Sequence, residues 1–343
     1  MSEEGLSYQT SGVAIGEANR AVRSFADAVR STYNFNVLSD VGTFGGLFSG
    51  QFPDISEPIL VSSIDGVGTK TKVATMANSY FGLGKDIVNH CVNDILVQGA
   101  KPLFFLDYFA TAKLKAEIVS EVVEGAAEAC RENGCALLGG ETAEMPGVYS
   151  GSECDVVGCI VGVVDKPKLL PTQVENGDLI VGIASNGLHT NGFSLARAAL
   201  FEKTNRKIDE PFLESTLGET LLKPHRSYLS PLWPLLQEGG WIKAMAHLTG
   251  GGFIENIPRV LGADVKAVIE KHTWQTPPVF QLIQSDGNIA DEEMYRTFNM
   301  GVGMVLMCES EKAIPLVERL NDCGETAWVI GEITKGARGT IVV

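Results

Sequence analysis

Apolar and polar residues follow helical and strand-like patterns in turn along the chain. Helices are predicted where apolar side chains recur at helical spacing, at residues 12–33, 86–99 and 115–133. Strands are predicted for short apolar runs, at residues 58–64, 102–109, 135–138 and 156–164. This alternation indicates an α/β or mixed α+β fold.

The alternation is interrupted at residues 166–177, which are rich in lysine, proline and polar residues. We place a domain boundary there, between an N-terminal domain of residues 1–168 and a C-terminal domain of residues 169–343. The second half begins with a predicted strand at residues 179–184 and repeats the pattern. A chain of 343 residues is long enough for two domains, each expected to have its own core.

Composition and charge exclude several classes of protein. The net charge of −15 argues against nucleic acid as a partner, because phosphate-backbone binding needs a basic surface. The apolar runs are shorter than the ~20 residues of a membrane span, and no signal peptide is recognised. We therefore expect a cytoplasmic protein with no membrane partner. A polyanionic substrate would need a local basic patch or a divalent cation.

Seven cysteines occur, with no C-x-x-C pair and no histidine close to the pairs 130/135 and 154/159. A zinc site would require ligands at compatible spacing. In an extended segment an odd offset puts residues 154 and 159 on opposite faces. We interpret the cysteines as buried reduced thiols.

The run Asp65-Gly66-Val67-Gly68-Thr69-Lys70, directly after a predicted strand, gathers the groups that a magnesium-bound polyphosphate requires. It holds a carboxylate, uncovered glycine amides, a hydroxyl and an ammonium. Its spacing matches neither the P-loop nor the dinucleotide fingerprint, so another nucleotide-binding architecture is predicted. A plain glycine turn with solvated lysines is the alternative.

Asp65, Asp94 and Glu141 stand in three separate elements, each beside a glycine or asparagine and next to an apolar stretch. An isolated carboxylate is costly to desolvate unless it is paired or binds a cation. We predict that the three converge on Mg²⁺ bound to nucleotide phosphates. The alternative is that each caps a helix or turn.

His90 lies one helical turn from both Asp86 and Asp94. This spacing suits either a metal-binding face or a local hydrogen bond. No partner motif such as H-E-x-x-H is present, and we interpret His90 as hydrogen-bonded locally. The glycine-rich loop at residues 42–50 is either a flap that closes over a ligand or an ordinary surface loop.

Polar turns in the second half precede predicted helices, where anions are favoured. Residues 185–192 lead into one helix, and residues 247–252, with three consecutive glycines, lead into another. Residues 297–303 precede a strand, with glycines that could admit a ligand to the backbone.

Six segments, in chain order, resemble the aminoimidazole ribonucleotide synthetase (phosphoribosylformylglycinamidine cyclo-ligase) family: DGVGTK, CVNDILVQGAKPLFFLDYFA, GGETAEMPGVY, GLHTNGFSLAR, HLTGGGFIENIPRVL and MYRTFNMGVGM. The resemblance implies a homodimer that pairs its N-terminal sheets, ATP near the dimer interface, and a C-terminal domain that closes over the substrate. It also implies a ligase of purine biosynthesis that cyclises formylglycinamidine ribonucleotide with ATP.

The resemblance also suggests individual roles. ATP-binding positions would be Gly45, Gly46, Asp65, Gly68, Thr69, Lys70, Asn93, Asp94 and Glu141, and the metal ligands Asp65, Asp94 and Glu141. Substrate-binding positions would be His189, Asn191, Thr249, Gly250, Gly251, Gly252 and Asn299, and the catalytic group His189, Lys70 and Asp94. His189 is hypothesised to act as a polar or acid–base partner.

Some positions depart from the family pattern. Gln9 and Ala14 stand where relatives usually carry a basic residue and an acidic or amide residue, and His90 and Met300 replace methionine and cysteine. Thiamine monophosphate kinase is the alternative enzyme with this architecture. A nucleotide-binding regulator without turnover is the alternative outside enzymes.

Overall fold

The computed structural model describes residues 15–343, so the unusual N-terminal positions Gln9 and Ala14 lie outside the described residues. Within this range the chain forms two main sheets. One lies between residues 58 and 165 and the other between residues 179 and 342. The predicted mixed α/β class is confirmed.

The first sheet has four strands in the order β1-β4-β2-β3, with the β2/β3 pair parallel and the other pairs antiparallel. The strands of this sheet and the helices around it are α1 (Ile15–Arg30), β1 (Pro58–Gly66), α2 (Lys70–Ala77), α3 (Phe81–Leu96), β2 (Lys101–Thr111), α4 (Ala116–Glu132), β3 (Ala136–Glu144) and β4 (Cys154–Asp165).

The second sheet has six strands in the order β12-β9-β11-β5-β10-β8, parallel only at the β12/β9 edge. Its strands are β5 (Leu179–Ala184), β8 (Ala244–His247), β9 (Val265–Ile269), β10 (Val302–Cys308), β11 (Ala327–Lys335) and β12 (Gly339–Val342). A short hairpin is formed by β6 (Pro211–Phe212) and β7 (Ser215–Thr216).

Helices cover this second sheet and carry the turns that face the first domain. They are α5 (Phe193–Arg197), continued by a π-helical turn at Ala198–Lys203, α6 (Leu217–Leu222), α7 (Leu229–Glu238), α8 (Gly252–Asn256), α9 (Pro278–Gly287), α10 (Asp291–Thr297) and α11 (Ser310–Asp322). Among residues 15–343, every helix is too short or too polar to cross a lipid bilayer.

Helices α3 and α4 cross on the first sheet at two glycines. A Cβ on Gly84 would lie 1.9 Å from the carbonyl oxygen of Val122, and one on Gly125 would lie 2.0 Å from that of Phe81. Both distances are far below van der Waals contact, so only glycine permits this approach. The close crossing fixes the position of α3, the helix that carries Asp94.

The other face of the first sheet is apolar and open. Leu60 and Ile64 on β1 keep 64% and 69% of their surface exposed, and Leu106 on β2 keeps 36%. Ile64 and Leu106 share one row of the sheet through Cys159, so the exposed side chains belong to a common face. Such a face on a folded chain marks an interaction surface.

The two domains do not have fully separate cores, contrary to the expectation from the sequence. One cluster of buried residues runs from Ile87 and Val92 of α3 to Leu232 of α7 and Leu306 of β10. A second cluster fills the C-terminal domain. Because α7 packs against α3, the domains share buried surface beside the interdomain cleft.

Candidate functional site

The turn after β1 faces the C-terminal domain. Gly68 has φ of +66°, a left-handed conformation that glycine adopts without strain, and α2 begins two residues later at Lys70. The hydroxyl of Thr69 lies 3.0 Å from that of Ser194 on α5. The predicted phosphate turn therefore lies where the two domains meet, and this junction around Asp65, Gly68 and Ser194 is called the cleft.

Asp65 and Asp94 come together at this cleft, as predicted. Their Oδ2 atoms lie 3.0 Å and 3.7 Å from Nε2 of His90. Burial raises the pKa of Asp65, but the hydrogen bond and charge of His90, together with the bond from the Gly66 amide, outweigh it, and the pKa falls below its ordinary value. Burial likewise raises the pKa of Asp94, but the hydrogen bond and charge of His247, together with His90 and Ser63, outweigh it and hold the pKa below its ordinary value.

Both carboxylates are thus ionised oxygen donors at neutral pH. Asp65 keeps 44% of its side chain exposed and Asp94 keeps 25%. Two adjacent carboxylates open to solvent fit the hard-oxygen preference of Mg²⁺, which usually takes one or two carboxylates together with substrate phosphates.

Glu141 does not join them within one chain, and the predicted three-carboxylate arrangement needs correction. Across the sheet, the residue level with Asp65 is Gly140, whereas Glu141 pairs with Tyr108. Neighbouring strand positions point to opposite faces, and three strand spacings of ~4.8 Å separate β1 from β3 by about 14 Å. The register therefore places Glu141 at another location.

Glu141 instead lines a cavity of about 640 Å³ between α1, α4, β3 and the glycine-rich loop. Gly45 and Gly46 line the same cavity, so three predicted ATP-binding positions are brought together there. The loop is held by backbone bonds from Leu38 to Leu47 and from Ser49 to Asn36. These bonds hold the loop as one wall of the cavity, which agrees better with an ordinary loop than with the flap that its sequence also suggested.

Asp107 also lines this cavity, and the sequence did not single it out. Burial raises its pKa to about 7. A carboxyl with such a pKa carries part of its proton at neutral pH, so it can donate as well as accept a hydrogen bond. Among the residues of this cavity whose pKa is shifted, Asp107 is the one that titrates near neutral pH.

Lys70 does not face the cleft, which corrects its predicted contact with phosphate. Its side chain is fully buried, and Nζ donates to Asp86 Oδ1 at 2.8 Å, to the His189 carbonyl at 3.0 Å and to the Lys223 carbonyl at 2.9 Å. An ammonium has three donors, and all three are used. Lys70 holds the turn in place instead of presenting its charge.

Asn93 is likewise structural in this arrangement. It is fully buried, its Nδ2 donates to the Arg226 carbonyl at 2.9 Å, and its Oδ1 accepts from the Tyr228 amide at 2.9 Å. Its predicted contact with ATP is therefore replaced by contacts that hold residues 226–228 against α3.

His189 lies on the turn between β5 and α5, where its backbone has φ of +64°. Its ring is 1% exposed, and it stacks on His225 with ring centroids 4.0 Å apart. Burial, together with nearby cationic groups, holds the pKa of His189 well below its ordinary value, so the ring is neutral. The predicted acid–base residue therefore lies beneath the cleft and not in it.

The loop before α8 has the form of an anion cradle. Asn256 donates its amide to the carbonyls of Thr249, Gly250 and Gly252, at 3.3, 3.2 and 2.8 Å. Those carbonyls are turned inward. Within residues 15–343, the amides of Gly250 and Gly251 donate to no protein acceptor. Gly250 lies against Asn191, since a Cβ there would be 3.2 Å from Asn191 Oδ1. Gly250 and Asn191, two of the predicted substrate-binding positions, therefore lie side by side.

Asn299 does not reach this pocket. Its Oδ1 accepts from the Ser185 hydroxyl at 3.0 Å and the Gly301 amide at 2.9 Å, while Nδ2 donates to the Gly187 carbonyl at 2.9 Å. Buried and fully bonded, it shapes the turn at residues 185–192 from below.

Comparison with known proteins decides the family. The model of the AIR synthase related protein N-terminal domain matches residues 54–164, and that of the C-terminal domain matches residues 175–343. The chain belongs to the AIR synthase related family. This agrees with the resemblance carried by its six sequence segments.

Relatives in this family match over nearly their whole length. The phosphoribosylformylglycinamidine cyclo-ligase of Alkaliphilus metalliredigens is 48% identical over 345 residues, covering 100% of this chain and 99% of the relative. The enzyme of the same name from Geotalea uraniireducens is 47% identical, covering 99% and 98%.

Solved structures of lower identity share the fold. A thiamine-monophosphate kinase from Stenotrophomonas maltophilia superposes with a TM-score of 0.70 at 16% identity, covering 93% of this chain and 95% of that one. The hydrogenase maturation protein HypE in complex with ATP gives a TM-score of 0.64 at 17% identity, covering 98% and 92%. At these identities the likeness concerns architecture alone.

The AIR synthase related fold brings together several polar residues that sequence reasoning missed. Beside Asp94 and His90 lie Thr190, His225 and His247, all buried. His247 immediately precedes the predicted cradle, which was a usable signal. Thr190 lies in the polar turn at residues 185–192, which was a signal as well, whereas His225 offered none, because its partners come from distant parts of the chain.

Proposed function

We propose that this protein cyclises formylglycinamidine ribonucleotide to aminoimidazole ribonucleotide, consuming ATP and releasing ADP and phosphate. The supporting observation is 48% identity over the full chain to a phosphoribosylformylglycinamidine cyclo-ligase. The protein is accordingly an ATP-dependent ligase that forms a C–N bond in purine biosynthesis.

The reaction explains why ATP is needed. A formamide oxygen is a poor leaving group, so transfer of the γ-phosphoryl group to that oxygen gives ADP and an activated carbon. The neighbouring amine attacks this carbon, loses a proton and closes the five-membered ring as phosphate departs with the oxygen. Intramolecular attack depends chiefly on positioning and on stabilising charge.

The residues of the cleft support this chemistry. Asp65 and Asp94 would hold Mg²⁺, which when bound neutralises charge on the nucleotide phosphates. The free amides of Gly250 and Gly251 suit the ribose phosphate of the substrate. The turn at Gly68 and Thr69 contacts Ser194 of α5, so it lies at the junction of the domain that would bind ATP and the domain that would bind the substrate.

Phosphate release measured in four mixtures tests the proposal. Release is expected with ATP and formylglycinamidine ribonucleotide together, and not with either one alone or with ATP and thiamine monophosphate. Asp65→Asn should slow turnover strongly, whereas Asp27→Asn, with a side chain 98% exposed at a surface pair, should not. ADP formed with thiamine monophosphate but without phosphate release would identify a kinase, and neither ADP nor phosphate in any mixture would indicate a regulator.

We also propose that the chain acts as a homodimer joined through the exposed face of the first sheet. Leu60, Ile64 and Leu106 supply the apolar surface that a second copy would cover. Ile64→Glu should lower the mass measured by light scattering to that of a monomer. Ile314→Glu, which is 58% exposed on α11, is the matched control and should leave it unchanged.

A further inference from the structure

Four of the five histidines of the chain lie in one buried group between the domains: His90, His189, His225 and His247. Their exposed fractions are between 1% and 5%, whereas the fifth, His272, keeps 77% of its side chain exposed. Ring centroids within the group are 4.0 to 5.2 Å apart. What this group can bind depends on which of its ring nitrogens carry hydrogen.

Two carboxylates fix the hydrogens at the ends of the group. Nδ1 of His247 lies 2.8 Å from Oδ1 of Asp94, and Nε2 of His90 lies 3.0 Å from Oδ2 of Asp65. An ionised carboxylate can only accept. Nδ1 of His247 therefore carries hydrogen, and the two carboxylates near Nε2 of His90 favour hydrogen on that nitrogen as well.

Thr190 fixes the hydrogens in the middle. Its Oγ1 lies 2.6 Å from Nδ1 of His90 and 3.3 Å from Nδ1 of His225. A neutral His90 that carries hydrogen on Nε2 must accept at Nδ1, so the Thr190 hydroxyl donates to it. The Thr190 oxygen then accepts from Nδ1 of His225.

For neutral rings this leaves two lone pairs facing each other. Nε2 of His225 and Nε2 of His247 are 3.0 Å apart, and neither carries a hydrogen in this assignment. Asn93 Nδ2, 3.2 Å from His225 Nε2, is a neutral donor that supplies no charge. The facing lone pairs are relieved by an additional proton, held on this pair or on His90 beside Asp65 and Asp94, or by a metal ion.

His189 favours the metal ion. Both of its ring nitrogens are buried and have no partner among the described residues. One ligand nitrogen from each of His189, His225 and His247 lies within 4.8 Å of the other two. An additional proton between His225 and His247 would leave His189 unsatisfied, whereas a metal ion would use all three rings.

We propose that His189, His225 and His247 form a binding site for a divalent transition-metal ion of the zinc class. Imidazole nitrogens suit Zn²⁺, Co²⁺, Ni²⁺ and Cu²⁺, in contrast to the oxygen ligands that Mg²⁺ requires. A neutral imidazole carries hydrogen on one nitrogen only, so each of the three rings can offer the lone pair of the other nitrogen to a metal ion. The site adjoins the cleft through the bond between His247 and Asp94, and it does not depend on the proposed reaction.

The surroundings of the three rings match those of known metal sites. His247 donates from Nδ1 to Asp94, and His225 from Nδ1 to Thr190, as metal-bound histidines usually donate from their second nitrogen. One adjustment is needed. The His189 ring lies at 19° to that of His225, and coordination requires it to turn so that a nitrogen points toward the Nε2 pair.

Metal content of the untagged full-length protein tests the site. After dialysis against chelator and then against Zn²⁺, we expect one tightly held equivalent per chain, and with Co²⁺ the visible absorption of a nitrogen-ligated ion. His225→Gln should lose this equivalent, whereas the exposed control His272→Gln should keep it. Zn²⁺ should raise the thermal midpoint of the wild type and the control and leave that of His225→Gln unchanged.

Anomalous X-ray scattering at the zinc edge keeps the test decisive if His225→Gln does not fold. A peak about 2.1 Å from nitrogens of the three histidines supports the site. Zinc bound elsewhere, absence of a retained equivalent, or an imidazolium seen by NMR in metal-free protein that takes up no Zn²⁺ would each overturn it. None of these readouts requires cyclo-ligase turnover.

Discussion

Replacing Lys70 by Met separates two roles for this lysine, a ligand for phosphate and a buried support for the turn. Its ammonium and the carboxylate of Asp86 are both fully buried and 2.8 Å apart. Without the ammonium, the Asp86 charge keeps a bond from the His225 amide at 2.6 Å but has no counter-charge. Removing one partner of a buried pair costs about 3–5 kcal/mol, a large share of the roughly 5–15 kcal/mol that stabilises a typical domain.

Urea unfolding followed by tryptophan fluorescence measures this loss. Lys72→Met is the matched control, because Lys72 pairs with Glu153 at 3.0 Å with a side chain 47% exposed, and such a pair contributes at most about 1 kcal/mol. Adding Asp86→Asn to Lys70→Met should recover part of the stability, since it removes the unpaired charge. The structural role is refuted if Lys70→Met unfolds like the wild type but binds ATP at least tenfold more weakly.

Two further substitutions test the cavity and the helix crossing. Because burial raises the pKa of Asp107 to about 7, its folded-state pKa lies above the unfolded one, and stability should fall as pH rises from about 4 through 7. Asp107→Asn should flatten that dependence and gain at most about 4 kcal/mol at pH 8; identical urea midpoints from pH 5 to 8 would contradict this. Gly84→Ala should cost about 1–3 kcal/mol or more through contact with Val122, whereas Gly16→Ala, with open space around it on α1, should be neutral or stabilising in thermal unfolding. Equal midpoints for the two alanine variants would refute the close crossing.

The sequence predicted the elements well where periodicity was strong. The helix expected at residues 86–99 is α3, shifted to Phe81–Leu96, and the helix expected at residues 115–133 is α4, Ala116–Glu132. The strand expected at residues 135–138 extends to Glu144, because the glycines after it still pair with β2. Local patterns thus fixed the type of each element better than its ends.

The site was harder to predict because its geometry depends on register and on distant partners. Glu141 follows two glycines like a ligand-binding residue, yet its place on β3 puts it about 14 Å from β1 and on the other face. Lys70 follows a glycine turn like a phosphate-binding lysine, yet its acceptors come from residues 86, 189 and 223. No local pattern contains that information.

Buried polar contacts beneath the cleft determine how its walls meet. Lys70 ties the first turn to the carbonyl of His189, and Asp86 binds the amide of His225, so one ion pair joins α2 and α3 to two segments of the C-terminal domain. Asn256 and Asn299 organise the two loops opposite in the same way, from inside. The groups open to ligands, Asp65 and the amide of Gly250 among them, are therefore positioned by residues that touch no ligand. A substitution beneath the cleft would displace binding and reacting groups together, so it should change both KM and kcat. Loss of an exposed carboxylate should affect only the reacting groups and leave the rest of the cleft in place.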